Sequence, residues 1–102
     1  MKVLREGHRY ELENFENKEI PGQVIQFIEK APNEAGEFVT VFDGTTNEEV
    51  LGMLLNRMNN LNAKFPCKEN SIAIAKMGEA LMWLIRRTNN RVARGVEGKH
   101  VK

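Results

Sequence analysis

The spacing of apolar residues changes once along this chain, at residues 43–46. Before that point apolar and charged residues alternate, as in Arg9–Phe15, a pattern that gives a strand one dry and one wet face. After it, apolar residues recur at intervals of three and four, which is the spacing of one face of a helix. The sequence therefore predicts an α+β fold, with a small N-terminal antiparallel β-sheet followed by a C-terminal two-helix hairpin.

Residues 1–43 form the predicted sheet. Turn residues at Pro21–Gly22 and at Pro32–Gly36 separate segments that are rich in β-branched and aromatic side chains. We therefore expect a small antiparallel meander. Its predicted strands are Arg9–Phe15, Gln23–Lys30 and Glu37–Phe42, with Val3–Leu4 as a short additional strand.

Residues 45–95 form the predicted helical hairpin. Thr46 and Glu49 have the spacing of a capping box, and Thr45 with Glu48 offers the same pattern one residue earlier. Pro66 interrupts the helical pattern, so we expect a second helix from Asn70 or Ser71 to Arg94. Gly95 follows as a natural C′ residue. The predicted apolar faces are Val50, Leu51, Leu54, Leu55, Met58 and Leu61 on the first helix, and Ile74, Met77, Leu81, Leu84, Ile85, Thr88 and Val92 on the second.

We expect residues 1–102 to be a single domain, with 96–102 as a C-terminal tail, because a chain of this length buries only one modest core. Association of copies would cover more apolar surface. No apolar run reaches the roughly 18 residues of a membrane span, and no secretory pattern opens the chain. Cys67 is the single cysteine, which favours a reducing cytoplasm.

Charge is distributed unevenly along the chain. Residues 1–50 contain five Lys or Arg and eleven Asp or Glu residues, whereas residues 51–102 contain ten and three. The two halves therefore carry net charges of −6 and +7. This asymmetry indicates an anionic partner, or subunits that pair an acidic face with a basic one. The alternative is that two faces of one domain neutralise each other.

The basic charge is concentrated in the run from Arg86 to Arg94, at the end of the second predicted helix. At 100° per residue, one face of that helix carries an indole, an amide and several cations, which suits a nucleotide: a ring to stack on a base and guanidinium groups for phosphates. The alternatives are a tryptophan packed under the sheet or in a subunit interface, and arginines that are only solvated. The candidate ligand-binding residues of this face are Trp83, Arg87, Asn90, Arg91 and Arg94, with Lys76 on the same stripe and Gly95 closing the run.

Two further candidates lie outside this stripe. Arg57, with Asn60, is on the polar side of the first helix and could close a pocket from a facing helix, or simply be exposed. Phe65 lies in the loop of the hairpin, where it could stack on a ligand or cap the core of the hairpin.

Catalytic constellations are not found in the sequence. His8 and His100 lie at opposite ends of the chain without metal-ligand companions, and Cys67 has no nearby histidine. No glycine-rich phosphate loop follows a strand. We therefore expect a binding protein without catalytic residues, metal or cofactor. A nucleic-acid-binding module, or one that binds an acidic partner through the basic helix, is the alternative. The acidic first half and a pI of about 7.9 disfavour nucleic acid.

Three blocks of the sequence resemble one protein family. They are Glu6–Leu12, Gly44–Leu51 and Ala80–Gly98, and together they resemble the phage-encoded Thoeris anti-defence sponge proteins. The pattern Arg91–Gly98 is also similar to the related anti-CBASS sponges, which share a helical hairpin. The resemblance covers nearly the whole chain.

This resemblance implies a sponge that sequesters a signal without cleaving it. The implied ligand is the Thoeris signal, a cyclic ADP-ribose isomer, and some members also bind CBASS cyclic di- or trinucleotides. The implied assembly is a homodimer with ligand between protomers, or a hexamer, in the cytoplasm of the infected or lysogenic bacterial host. On this basis Arg87, Arg91 or Arg94 would hold the pyrophosphate, while Trp83 or Phe65 stacks on the base.

Overall fold

The computed structural model describes residues 1–95, in which five β-strands precede two α-helices. This order confirms the predicted α+β class, with the sheet part first and the helical hairpin second. The predicted tail 96–102, which includes His100, lies outside the described residues. The elements are β1 (Lys2–Arg5), β2 (Arg9–Glu11), β3 (Val24–Gln26), β4 (Glu29–Pro32), β5 (Phe38–Phe42), α1 (Asn47–Lys64) and α2 (Lys68–Ala93).

The strands form two small sheets within a first compact unit, Met1–Thr46, and the second unit begins at Asn47. One sheet has the order β1-β2-β3, with Tyr10 at its centre opposite Val3 and Ile25. The other is the pair β4-β5, and all three strand pairings are antiparallel. The prediction of a single meander was therefore wrong, because the strands form two separate sheets.

The sheets separate in the middle of the segment that was predicted as one strand, Gln23–Lys30. Phe27 forms an isolated parallel bridge with Thr45, and the Ile28 amide donates to the Thr45 carbonyl at 2.9 Å. Gly44 allows this approach, since a Cβ there would lie 2.3 Å from the Gln26 carbonyl oxygen. The contacts of Phe27 and Ile28 with Thr45 therefore separate the end of β3 from the start of β4.

The ends of the helices follow local capping. α1 begins at Asn47, so Thr46 occupies the N-cap position and the later of the two predicted starts is right. α2 begins at Lys68, two or three residues before the predicted start at Asn70 or Ser71, because the extended Cys67 accepts a hydrogen bond from the Asn70 amide at 3.4 Å. It ends at Ala93, one residue before the predicted end, with Arg94 as the C-cap, and Gly95 follows in the left-handed region at φ 71°, as predicted for a C′ residue.

The two helices pack along a seam with alternating steps of three and four residues. Near the loop, Asn62 donates to the Ser71 hydroxyl at 3.4 Å, and at the other end Thr88 donates to Glu48 at 3.4 Å. The apolar stripe predicted for α2 was partly wrong, because two of its residues, Ile85 and Val92, are exposed. The less exposed positions of α2 include Ile74, Met77, Leu81, Leu84, Thr88 and Arg91.

Within residues 1–95 no apolar side chain is fully buried. Seam residues such as Leu55 and Leu84 are half-buried, while Phe15 and Met53 are exposed. The described residues therefore leave part of their apolar surface exposed to solvent. Neither α1 nor α2 has the length and apolar character that crossing a bilayer requires.

Candidate functional site

The last turns of α2 form a pocket of about 330 Å³, which is at the small end of the range for ligand sites. Its lining side chains recur three and four residues apart, so the helix presents them on one face. The described lining residues are Trp83, Arg86, Arg87, Asn90, Arg91 and Arg94. Five of the eight predicted ligand-binding residues thus lie together in one concavity.

The pocket concentrates positive charge. Within residues 1–95, no carboxylate forms an ion pair with Arg86, Arg87 or Arg94. All three side chains are exposed, as is the amide of Asn90. Guanidinium groups this close repel one another, so an anion bound between them gains the favourable interaction that the protein leaves unused.

Trp83 lies among these cations with its ring available. The residue is 55% exposed. The Arg86 guanidinium carbon lies 4.8 Å from the centroid of the indole, in cation–π contact. The side chain that has the chemistry to stack on a base is therefore held beside the groups that have the chemistry to bind phosphate.

Arg91 differs from the other arginines of the pocket, because it is only 5% exposed. It lies one turn beyond Thr88 on the line of the seam, whereas the sequence placed it only on the basic stripe of Trp83 and Arg87, distinct from the apolar one. The preceding seam position, Thr88, is fixed by its hydrogen bond to Glu48 in α1. Arg91 is therefore largely covered in the folded chain, unlike Arg86, Arg87 and Arg94.

The remaining predicted site residues do not line the described pocket. The seam contacts place Arg57 roughly level with Met77, about 9 Å before Trp83 along the helix axis. Phe65 is in the loop at the opposite end of the hairpin and is 77% exposed. Gly95 is exposed and directly follows the lining residue Arg94. Their roles in ligand binding remain predictions.

Sequence reasoning missed Arg86 as a site residue. Counting angles around the helix assigned the pocket to Arg87, Arg91 and Arg94, and set Arg86 to one side. The signal was present, since Arg86 follows Trp83 by three residues and side chains at this spacing touch on a helix. The reach of a long arginine side chain is what brings it back over the indole.

A second arginine cluster lies in the strand unit. Arg5 in β1 donates through Nε and Nη2 to the two carboxylate oxygens of Glu29 in β4, at 2.6 and 2.7 Å. The side chain of Glu29 is 10% exposed and that of Arg5 is 50% exposed. The hydrogen bond from Arg5 lowers the pKa of Glu29 below its ordinary value, and the same contact raises the pKa of Arg5.

The same cluster extends to an aromatic ring of β5. The guanidinium carbons of Arg5 and Arg9 lie 5.9 and 5.4 Å from the centroid of Phe42. Arg9 also donates to the Gln26 side-chain oxygen at 2.7 Å. These contacts connect the two sheets. Sequence reasoning did not identify the cluster, because its members come from strands that are distant along the chain.

The chemistry of the pocket favours binding. Indole, amide and guanidinium groups can stack, donate hydrogen bonds and neutralise charge. None of the six described lining side chains is a carboxylate, thiol, hydroxyl or imidazole that could act as a nucleophile or base near neutral pH. Among residues 1–95, no group of three His, Cys, Asp or Glu side chains has the arrangement of metal ligands.

Comparison with known proteins identifies the family. The family described as "Acb2/Tad1, hairpin domain" matches residues 19–89, from before β3 to the Asn89 position in α2. The protein "Thoeris anti-defense 1" of Bacillus phage SBSphiJ7 is 48% identical over 61 residues, which are 59% of this chain. The aligned region takes up 43% of that relative, so the chain spans less than half its length. Because the family match extends over more than half of the sequence, this chain belongs to the Acb2/Tad1 hairpin domain family.

Proposed function

We propose that this chain is a phage anti-defence protein that binds and sequesters a nucleotide immune signal in the bacterial host, without cleaving it. The observation that carries this proposal is the pocket in which Trp83 lies among Arg86, Arg87 and Arg94. Family membership supports the same proposal. The name of the relative from Bacillus phage SBSphiJ7 supports a role against Thoeris immunity.

The proposed ligand is a cyclic ADP-ribose isomer, which carries an adenine and a pyrophosphate. In this proposal Arg87, Arg91 and Arg94 bind the pyrophosphate, Trp83 stacks on the base, and Asn90 bonds to its edge. These groups match the two parts of the ligand. The buried Arg91 supplies a cation whose position is fixed before the ligand arrives, which lowers the entropy cost of binding.

Tight capture needs more than this one face of a helix. A nanomolar sponge requires about −12 kcal/mol. Charge-assisted contacts give roughly 1.5–3 kcal/mol each and stacking about 1–3 kcal/mol, so an open site does not reach that value after the entropy of association. Enclosure by a second copy of the chain provides the difference in this proposal.

The surface of the chain supports such an assembly. No apolar side chain of residues 1–95 is fully buried, and α2 carries exposed large apolar residues such as Met82 and Ile85. In an antiparallel arrangement of two hairpins, the loop of one copy comes to the arginine end of the other. Phe65, which is 77% exposed in that loop, would then cover the ligand from the partner.

The proposal makes the protein a sponge rather than an enzyme. The family and the name of the relative point to interference with defence, and the lining side chains of the pocket bind without offering a nucleophile or base. A ligand captured in this way comes back chemically intact when the protein is unfolded. A hydrolase would return a changed molecule.

The deciding experiment is capture and release. The purified protein is incubated with the purified Thoeris signal, filtered, denatured by heat, and the released molecules are identified by mass spectrometry. We expect intact signal at close to one molecule per pocket. Recovery of an altered molecule, or of none, contradicts the proposal.

The same assay separates the remaining candidates. Cyclic di- and trinucleotides of CBASS immunity are offered alone and then in competition with the Thoeris signal, since a phosphate site of this kind also suits them. Duplex DNA and RNA are offered at two salt concentrations. Binding of nucleic acid that falls steeply with salt, with no capture of a small nucleotide, would instead identify the basic end of α2 as a nucleic-acid surface.

A further inference from the structure

We infer that Arg86 is a positioning residue for Trp83: it covers one face of the indole, so that the ring offers its other face to a purine base, while neighbouring arginines bind the phosphates. The inference rests on the proposed function of the pocket and divides the work among its arginines. It assigns Arg86 to base recognition, although its charge alone would group it with the phosphate-binding residues.

The contact between the two side chains is local and well defined. Arg86 and Trp83 are three residues apart on α2, and the guanidinium carbon lies 4.8 Å from the centroid of the indole. Arg87, four residues from Trp83, also lines the pocket but has no such ring contact among the described residues. Two neighbouring arginines with equal charge therefore stand in different relations to the same ring.

Stacking on one face has a consequence for the other face. An exposed tryptophan samples several rotamers, and a ligand must select one of them at a cost in entropy. A guanidinium laid against the ring restricts that sampling while leaving Trp83 55% exposed. The cation also draws electron density from the indole, which strengthens stacking with an electron-rich purine on the open face.

Arginine is suited to this role in a way that lysine is not. Its guanidinium group is planar, so it stacks across the indole, whereas the ammonium group of lysine is a compact charge on a flexible stem. Replacement of Arg86 by lysine therefore keeps the charge near the phosphates but loses the flat support of the ring. This difference separates a positioning role from a phosphate-binding role.

Two probes that share a pyrophosphate group but differ in the base make the test specific. Inorganic pyrophosphate reports on the cations, and ADP adds an adenosine. Affinities are measured by calorimetry for the wild type, Arg86→Lys, and Arg87→Lys as the neighbouring pocket arginine. Lys76→Gln, on the same stripe but outside the described pocket lining, is the control for a substitution on α2 away from the pocket.

For Arg86→Lys we expect the affinity for ADP to fall about three- to tenfold, the size expected for a partly exposed cation–π contact, with pyrophosphate affinity within about twofold of wild type. Arg87→Lys should reduce both affinities by similar factors, because it replaces a bidentate phosphate ligand. Equal losses for both probes in Arg86→Lys would make Arg86 a phosphate ligand and overturn the inference.

Trp83 is the single tryptophan of the chain, so its fluorescence provides a readout without ligand. In Arg86→Lys the emission should shift to longer wavelength, because water replaces the guanidinium at the ring, and Lys76→Gln should leave it unchanged.

An unchanged spectrum in Arg86→Lys overturns the inference and leaves the proposed function intact. If the wild type captures the Thoeris signal but does not bind ADP, the inference is overturned and the proposed function again remains intact. Failure of the wild type to capture any nucleotide removes the proposed function and the inference together.

Discussion

The two arginine clusters of this protein differ in where the opposing charge lies. In the strand unit, Arg5 forms a bidentate ion pair with Glu29, and the nearby Arg9 bonds to Gln26. On α2, the exposed Arg86, Arg87 and Arg94 have no carboxylate paired with them among residues 1–95. One cluster is closed by the protein itself, and the other is open to an external anion.

Arginine content alone therefore does not locate a binding site. Both clusters place guanidinium groups over an aromatic ring, Phe42 in one and Trp83 in the other. In the first, the carboxylate of Glu29 already satisfies the guanidinium, so the cluster connects the two sheets. In the second, the ring and the donors remain available for a ligand.

The open cluster should respond to loss of charge with the largest effect on binding. We expect the double substitution Arg87→Ala and Arg94→Ala to weaken capture of the Thoeris signal by about 100-fold or more, because each charge-assisted contact contributes roughly 1.5–3 kcal/mol. The melting temperature should stay near that of the wild type, since both side chains are exposed. Calorimetric titration measures the first quantity and thermal unfolding the second. Unchanged affinity would remove these arginines from the site, and Lys76→Ala serves as the control.

Arg91 should combine the behaviour of both clusters. It lines the pocket but is buried, so Arg91→Ala is expected to weaken capture about tenfold or more and also to lower the melting temperature. Arg94→Ala is the matched control, with weaker capture and an unchanged melting temperature. If both variants melt like the wild type, Arg91 behaves as the exposed arginines do and has no role in stability.

The closed cluster should respond in stability alone. We expect Glu29→Gln to lower the melting temperature, because the amide cannot accept both hydrogen bonds from Arg5 with the strength of a carboxylate. Capture of ligand by the pocket on α2 should be unaffected. Glu34→Gln, at an exposed turn of the same unit, removes the same charge and should not change melting. A Glu29→Gln protein as stable as the wild type would show that the ion pair does not stabilise the unit.

The smallest expected effect is the loss of stability when acid protonates Glu29 and breaks its ion pair with Arg5. The pKa of Glu29 is held below its ordinary value of 4.5, mainly by the hydrogen bond from Arg5. The ion pair therefore contributes full stability above that ordinary value, and the contribution is lost as the pH falls through the lower pKa of the folded state. Chemical unfolding between pH 7 and pH 3 should show this loss in the wild type and a shallower slope in Glu29→Gln. Parallel slopes in the two proteins would contradict the assignment.

The order of the elements, and the places of Thr46 and Gly95 at helix ends, could be predicted from the sequence, because they depend on neighbours along the chain. Alternation and helical spacing separate the strands from the hairpin, and Thr46 and Gly95 mark helix ends through local hydrogen bonding and backbone conformation. The early start of α2 was missed, since a cysteine at the N-cap is a weak signal. The division of one predicted strand into β3 and β4 was missed because it depends on Thr45.

The candidate site shows the same limit. The spacing of Trp83, Arg87, Asn90 and Arg94 on one helix is a property of the sequence, because a regular helix places such residues side by side. The burial of Arg91 and the pairing of Arg5 with Glu29 were decided only by the tertiary structure. Burial depends on where a second element packs, and an ion pair on which distant strands meet. Neither can be read from position along one segment. Whether an arginine stabilises the fold or remains available to a ligand therefore depends on tertiary contacts.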